Sequence, residues 1–173
     1  MNGTAEPAPI NATDAPTRIR PSHYPEPFAA LMTGRTKRPL GDLFNIKNFG
    51  VNLIHLPPGS VSALHHAHSR QDEFIYVVEG HPTLFRGNDI FELAPGMVVG
   101  FPSAGLAHHL ENRSGVDCVI LEVGDRSAGD SVTYPSDDLQ AVAGPDGNWQ
   151  FQHKDGKPYE GPIAIPGFAW HGN

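Results

Sequence analysis

The stretch LHHAHSRQDEF, residues 64–74, sets three histidines within four positions and places Glu73 five residues after the last of them. Imidazole nitrogen and carboxylate oxygen are the donors of a mixed metal site, and the same groups carry general acid–base chemistry. On an extended chain successive side chains alternate faces. His66 and His68 then share one face, about 7 Å apart, while His65 and Ala67 point the other way. Glu73 has the wrong parity for one continuous strand. The polar SRQD sequence reads as a turn, however, so Glu73 can open the next strand and face the same interior as Ile75 and Val77. Phe74, Tyr76 and Val78 then point outward and need cover. A fourth donor comes from PSAGLAHHLEN, where an inward Leu110 makes His108 inward and turns His109 outward.

Three neutral imidazoles and one carboxylate suit one divalent transition metal, Fe, Mn, Ni or Zn. Four protein ligands leave up to two positions of an octahedral ion open to a substrate or dioxygen. His65 and His109 are excluded by parity. His55 sits on a neighbouring strand, where it either approaches the cavity or simply packs. His23, His81, His153 and His171 carry no pattern of their own. Cys118 lies in the apolar run DCVILEV with no helix terminus or basic neighbour to activate it, which argues against thiol catalysis.

The elements that must hold these residues are short strands. From Phe49 to Gly124 eight β-rich runs alternate with turns such as PPGS, SRQD and RSGV, without a convincing helix. That texture, in a chain with 19 glycines and 17 prolines, predicts an all-β antiparallel sandwich or barrel. We expect a disordered N-terminus over 1–17, an irregular arm over 18–48, the barrel over 49–124 and a C-terminal extension over 125–173. The sequence EPFAALMTG is the arm's one candidate helix, ended by Gly34. In the extension, LQAVA and WQFQH flank a GPDGN turn and predict a hairpin. The last residues read as an extended tail held by Ile163, Ile165, Phe168 and Trp170.

At 173 residues with a net charge of −7, the chain is expected to be one domain with no nucleic-acid surface, which would need a basic face. Six of its twelve Lys and Arg residues nevertheless fall within 18–47. This cluster reads first as a solvated face along an acidic barrel, and second as a grip for an anionic ligand. No run approaches the ~20 apolar residues of a membrane span, and the start MNGTAEPAPINATDAPT lacks the features of a secretion signal. The lone cysteine fits a reducing compartment. A cytoplasmic location is therefore expected.

The residues also resemble the cupin superfamily. Its first motif, G-x5-H-x-H-x3–4-E-x6-G, is matched by Gly59, His66, His68, Glu73 and Gly80, with one extra residue before the first histidine. Its second, G-x5-P-x-G-x2-H-x3-N, is matched by Gly96, Pro102, Gly105, His108 and Asn112, with one extra residue after Pro102. Both departures fall in turns. The resemblance implies a small antiparallel jelly-roll barrel, the double-stranded β-helix, holding a metal through His66, His68, Glu73 and His108. The stretches FGVNLIHLPPG and GDRSAGDSVTYPSDDL resemble a bacterial subgroup of single-barrel members, extending the likeness over most of 18–160.

The family implies a fold and a site rather than one reaction. The expectation is a small-molecule metalloenzyme of the dioxygenase, isomerase or lyase kind. The alternative is a non-catalytic barrel that binds a small molecule or sugar for sensing. The inward neighbours Leu64, Ile75, Val77 and Leu110 are apolar, and Arg70 is the one inward-parity cation of the first motif. A small ligand with a carboxylate- or catechol-like oxygen pair is thus expected. The outward set of Phe74, Tyr76 and Val78 predicts a homodimer.

Overall fold

A computed structural model describes residues 7–19, 22–144 and 148–159. Its strands in chain order are β1 (Thr36–Pro39), β2 (Phe49–Leu56), β3 (Ala67–His68), β4 (Glu73–Glu79), β5 (Thr83–Arg86) and β6 (Asp89–Glu92). They continue with β7 (Val98–Phe101), β8 (His108–Glu111), β9 (Cys118–Asp125), β10 (Ser131–Tyr134), β11 (Leu139–Ala143) and β12 (Trp149–Gln152). One short helix, α1 (Leu40–Leu43), and 3-10 turns at Ala12–Asp14 and Phe28–Met32 complete the elements.

Strands β1-β2-β9-β4-β7 form one antiparallel sheet. Strands β12-β11-β10-β3 and β6-β5-β8 form two more, and the bridge between His66 and His108 links them into one facing layer. Two antiparallel layers closed on each other make the jelly-roll barrel, with the register that the site requires.

Alternation explains the core. On β4, Ile75 and Val77 are buried while Phe74, Tyr76 and Val78 remain about 40 % exposed (41, 40 and 39 %). Ile54 and Leu56 on β2 and Cys118 and Ile120 on β9 join them, and Leu84 and Leu110 close over from the other layer. Each such fully buried aliphatic side chain contributes about 1.5–3 kcal/mol of transfer free energy. A second cluster seats Phe28 and Met32 of the arm against Leu64, Val132, Tyr134 and Leu139. The arm therefore packs on the barrel through apolar contacts. Gly80 ends β4 at φ +76°, where a Cβ would sit 2.5 Å from the Asp117 carbonyl oxygen. Only glycine serves this turn.

Two expected elements differ in detail. The run VSALHHAH does not form one strand: Val61 and His66 make single bridges to β8, and only Ala67 and His68 pair with β10. The segment bends because it changes partner between these points, while Ser62 still donates its N–H to the Leu110 carbonyl. The arm's helix is a 3-10 turn, with Gly34 following at φ +86°. Strands β11 and β12 pair as a hairpin, but its Asp146-Gly147 turn lies outside the described residues, as do Ile163, Ile165, Phe168, Trp170 and His171. Among the described residues no helix is long and apolar enough to cross a membrane.

Candidate metal centre

The partner change at 61–68 brings the histidines together. His66 reaches β8 through a two-way backbone bridge with His108, its N–H and carbonyl both engaged at 3.1 and 2.8 Å. His68 continues on β3, and Glu73 opens β4 across the turn. His66, His68 and Glu73 form a group whose ligand atoms lie within 4.8 Å of one another. Glu73 Oε2 is 3.4 Å from His66 Nε2, 3.7 Å from His68 Nε2 and 3.0 Å from His108 Nε2. His108 thus meets the group through Glu73, and its ring stacks on Phe101 with centroids 3.5 Å apart.

The other ring nitrogens fix the tautomers. His66 Nδ1 faces the Leu64 carbonyl oxygen at 2.8 Å, and His68 Nδ1 faces Asp130 Oδ2 at 2.5 Å. His108 Nδ1 points to the Leu106 carbonyl oxygen at a longer 3.4 Å. Facing only acceptors, each Nδ1 must carry the hydrogen, so each neutral ring turns its Nε2 lone pair towards Glu73. Three lone pairs and a carboxylate oxygen repel one another unless positive charge lies among them. Protons can supply part of it, and a divalent cation supplies it in one step. Acceptors behind the imidazoles are also what orients metal-binding histidines. The donor set therefore fits a divalent transition metal.

The electrostatics follow from the same contacts. Burial opposes ionisation of Glu73, yet His108 and His66, in the forms that carry a proton on Nε2, outweigh it and hold the carboxyl well below the usual range. For His66 burial disfavours the charged form, but Glu73 outweighs it and raises the pKa. His108 is lowered, chiefly by burial. Asp130, itself 2 % exposed, is lowered against its burial by His68 and by the N–H of Arg70. His68, Glu73, Phe101 and His108 line a narrow depression together with Ala67, Gln71 and Pro102.

The excluded histidines lie elsewhere. His65 and His109 face each other, Nδ1 to Nδ1 at 3.0 Å, and His109 leans on Glu111 at 3.1 Å and stacks on Phe85. His55 contacts Asp117 at 2.9 Å on the outside. Arg70 is exposed, with only its backbone turned to Asp130.

The sequence reading missed several interior polar residues. Glu122 stands opposite Ile75 and Asn52 on the inner face of the large sheet. Parity with Cys118 and Ile120 in DCVILEVG was the available signal. Its Oε1 accepts from Lys37 Nζ at 2.7 Å and Asn52 Nδ2 at 3.0 Å. Tyr134 stacks near His66 with centroids 6.2 Å apart, and Tyr24 meets Tyr134 edge-on at 5.7 Å. No local sequence signal marks Asp130 or these tyrosines, which arrive from the extension and the arm.

The profile of the Cupin domain family matches residues 52–124. No functionally curated protein matches by sequence. Among solved structures, a protein named as a sugar phosphate isomerase of the cupin superfamily from Silicibacter pomeroyi is 33 % identical, with a TM-score of 0.81. That match covers 88 % of this chain and 96 % of the other. A proposed sugar phosphate isomerase from Acidithiobacillus ferrooxidans is 31 % identical over 76 % of this chain and 80 % of its own, with a TM-score of 0.65. A polyketide cyclase from Streptomyces resistomycificus, 22 % identical over 68 % of this chain and 78 % of its own, shares the fold at a TM-score of 0.56. Sharing this barrel, and 33 % identity over 88 % of its length, with a protein of the cupin superfamily, the chain belongs to the cupin superfamily.

Proposed function

We propose that the protein is a metal-dependent isomerase acting on a small, sugar-like α-hydroxy carbonyl compound. The observation that carries this is the convergence of three anchored imidazoles on Glu73, with a second carboxylate, Glu122, on the same inner face. The names of the two proteins at 33 and 31 % identity support the choice of isomerase over oxygenase or lyase. Adjacent hydroxyl and carbonyl oxygens chelate an ion as two neighbouring oxygens do, in place of the carboxylate- or catechol-like pair expected from the sequence.

His66, His68, His108 and Glu73 would hold the ion. When bound, it polarises the substrate carbonyl and stabilises negative charge on that oxygen. Interconverting an aldose and a ketose moves one hydrogen between neighbouring carbons and one between their oxygens, with no net gain or loss. The moving proton needs a base that is not a ligand. Glu122 fills that role: Lys37 and Asn52 fix one oxygen, and its strand places it one inward step from Gly124, the residue opposite Glu73. Gly124 and Gly50 pair on this row, where a Cβ at Gly124 would sit 3.8 Å from the Glu73 side chain and one at Gly50 3.5 Å from that of Arg126. Burial raises the pKa of Tyr24 to about 12 and that of Tyr134 well above its ordinary value. Both phenols stay protonated, and their hydroxyls are hydrogen-bonded to each other.

The test is hydrogen exchange in 2H2O. Metal-loaded protein should place deuterium at the carbon beside the carbonyl of an aldose or ketose substrate, read by NMR. The His68→Ala and Glu122→Gln variants should not. Absence of exchange across a panel of free and phosphorylated sugars, with metal shown to be bound, would remove the isomerase assignment.

A further inference from the structure

The basic arm is not the solvated face expected of it. The Lys37 side chain is 15 % exposed and meets Glu122 at 2.7 Å, and Arg35 is 7 % exposed and donates to the Ser62 carbonyl of the opposite layer. A cation of the barrel itself stands differently. On β5, Leu84 pairs with Leu110 and joins the core, while Phe85 turns outward and stacks on His109. Alternation returns Arg86 to the inner side. Its neighbours in register are His108 of β8 and Asp89 of β6.

Two arginines lie over aromatic rings in this layer, and their surroundings differ. Arg113 sits over Phe85 at 4.6 Å and pairs with Glu111 at 2.6 Å. Arg86 sits over Phe91 at 4.9 Å. Among the described residues it forms no ion pair, even with Asp89 opposite it. The ring supports one face of the guanidinium but does not use its N–H fork, the part that binds a carboxylate.

Arg86 lines a groove of about 390 Å³, in which Leu84, Ile90, Phe91, Leu93 and Met97 are apolar and Glu92 is the other charge. The Glu92 carboxylate accepts from the Thr83 hydroxyl at 2.9 Å. The groove lies beside β6, an edge strand, and beside Met97, which leads into the edge strand β7. It shares no lining residue with the depression at the metal centre. Small-molecule sites occupy about 300–1,000 Å³ and combine an apolar lining with a few placed polar groups. This groove meets both conditions at the small end of the range.

We propose that the groove binds a small monocarboxylate with an apolar chain, its carboxylate on Arg86 and its chain against Leu84, Leu93 and Met97. The site is separate from the metal centre and does not rest on the isomerase assignment. One unpaired guanidinium suits one negative charge, and Glu92 disfavours a second. The apolar lining favours a hydrocarbon chain over a polyol.

The experiment titrates hexanoate, 1-hexanol, hexylammonium and acetate into the protein and follows the methyl NMR signals of Leu84, Ile90, Leu93 and Met97. Hexanoate should shift these signals and bind at least tenfold more tightly than each of the other three. His68→Ala protein, stripped of metal, should bind hexanoate as wild type does, which separates the groove from carboxylate ligation at the metal. Arg86→Gln should bring hexanoate down to the level of 1-hexanol, whereas Arg113→Gln should stay within twofold of wild type. Met97→Trp, at an exposed position, fills the groove and should weaken hexanoate at least tenfold. Equal binding of hexanoate and 1-hexanol by wild type, or wild-type affinity for hexanoate in Arg86→Gln, overturns the site. Loss of hexanoate binding in the metal-stripped protein overturns it too. So does light scattering in which Arg86→Gln or Met97→Trp changes the oligomeric mass while wild type binds no hexanoate, since the groove is then a contact between copies of the chain.

Discussion

His66 and His68 line the interior while His65, between Leu64 and His66, faces His109 on the outside. The side chains are identical and adjacent, yet their surroundings are opposite. Inside, every Nδ1 meets a hydrogen-bond acceptor and every Nε2 meets Glu73. Outside, two Nδ1 atoms meet each other, and one ring is carried by Phe85 and Glu111. The comparison teaches that a histidine becomes a metal donor through the group behind it as much as through the group in front. An acceptor at Nδ1 frees the Nε2 lone pair, and a strand's parity decides which ring receives one.

The largest expected effect breaks the inner set. His68→Ala or His108→Ala should lower metal content by tenfold or more, measured by elemental analysis, with the circular dichroism of a folded barrel retained. His65→Ala and His109→Ala should hold metal within twofold of wild type. Full metal occupancy in the inner variants would end the comparison.

Next comes the group behind the ring. Asp130→Asn keeps the size of the side chain but not its charge on His68 Nδ1, and should cost about 10–100-fold in metal affinity. An unchanged affinity by competition with a chelator would show that the anchor does not matter. The same variant sharpens the comparison through pH. Asp130 ionises at lower pH in the fold than in the unfolded chain. The unfolded chain therefore binds more protons in acid, and the stability from this carboxylate is lost as pH falls from about 4, the ordinary range, through the folded value. The gap between metal-free wild type and Asp130→Asn, about 1–3 kcal/mol near neutrality, should close in acid denaturation melts.

Outward positions carry a smaller effect. Phe74, Tyr76, Val78 and the neighbouring Val98 expose a shared apolar face, with Tyr76 directly opposite Val98. We propose that a second copy covers it, and light scattering should give a dimer mass that Tyr76→Lys shifts to monomer. A monomeric wild type at micromolar concentration would remove the second copy. The smallest effect belongs to the outer histidines, where His109→Ala forfeits its stack on Phe85 and should cost about 0.5–1.5 kcal/mol in chemical denaturation.

Much of this was legible in the sequence because a strand is a local code. Period-two alternation fixed which of His65, His66, His68, His108 and His109 turn inward, and turn chemistry at SRQD allowed Glu73 to join them. The same rule marked Ile75 and Val77 as core and Phe74, Tyr76 and Val78 as outer face. Local pattern also made the chain all-β, and two spaced motifs carried the likeness to cupins. The tertiary structure alone decided what stands behind and beside those residues. Asp130 reaches His68 across 62 positions of chain, Tyr24 and Tyr134 meet from opposite ends, and Lys37 finds Glu122 85 positions away. Such pairings depend on which strands become neighbours. That choice is made by apolar burial summed over the whole barrel, and no short window of sequence records it.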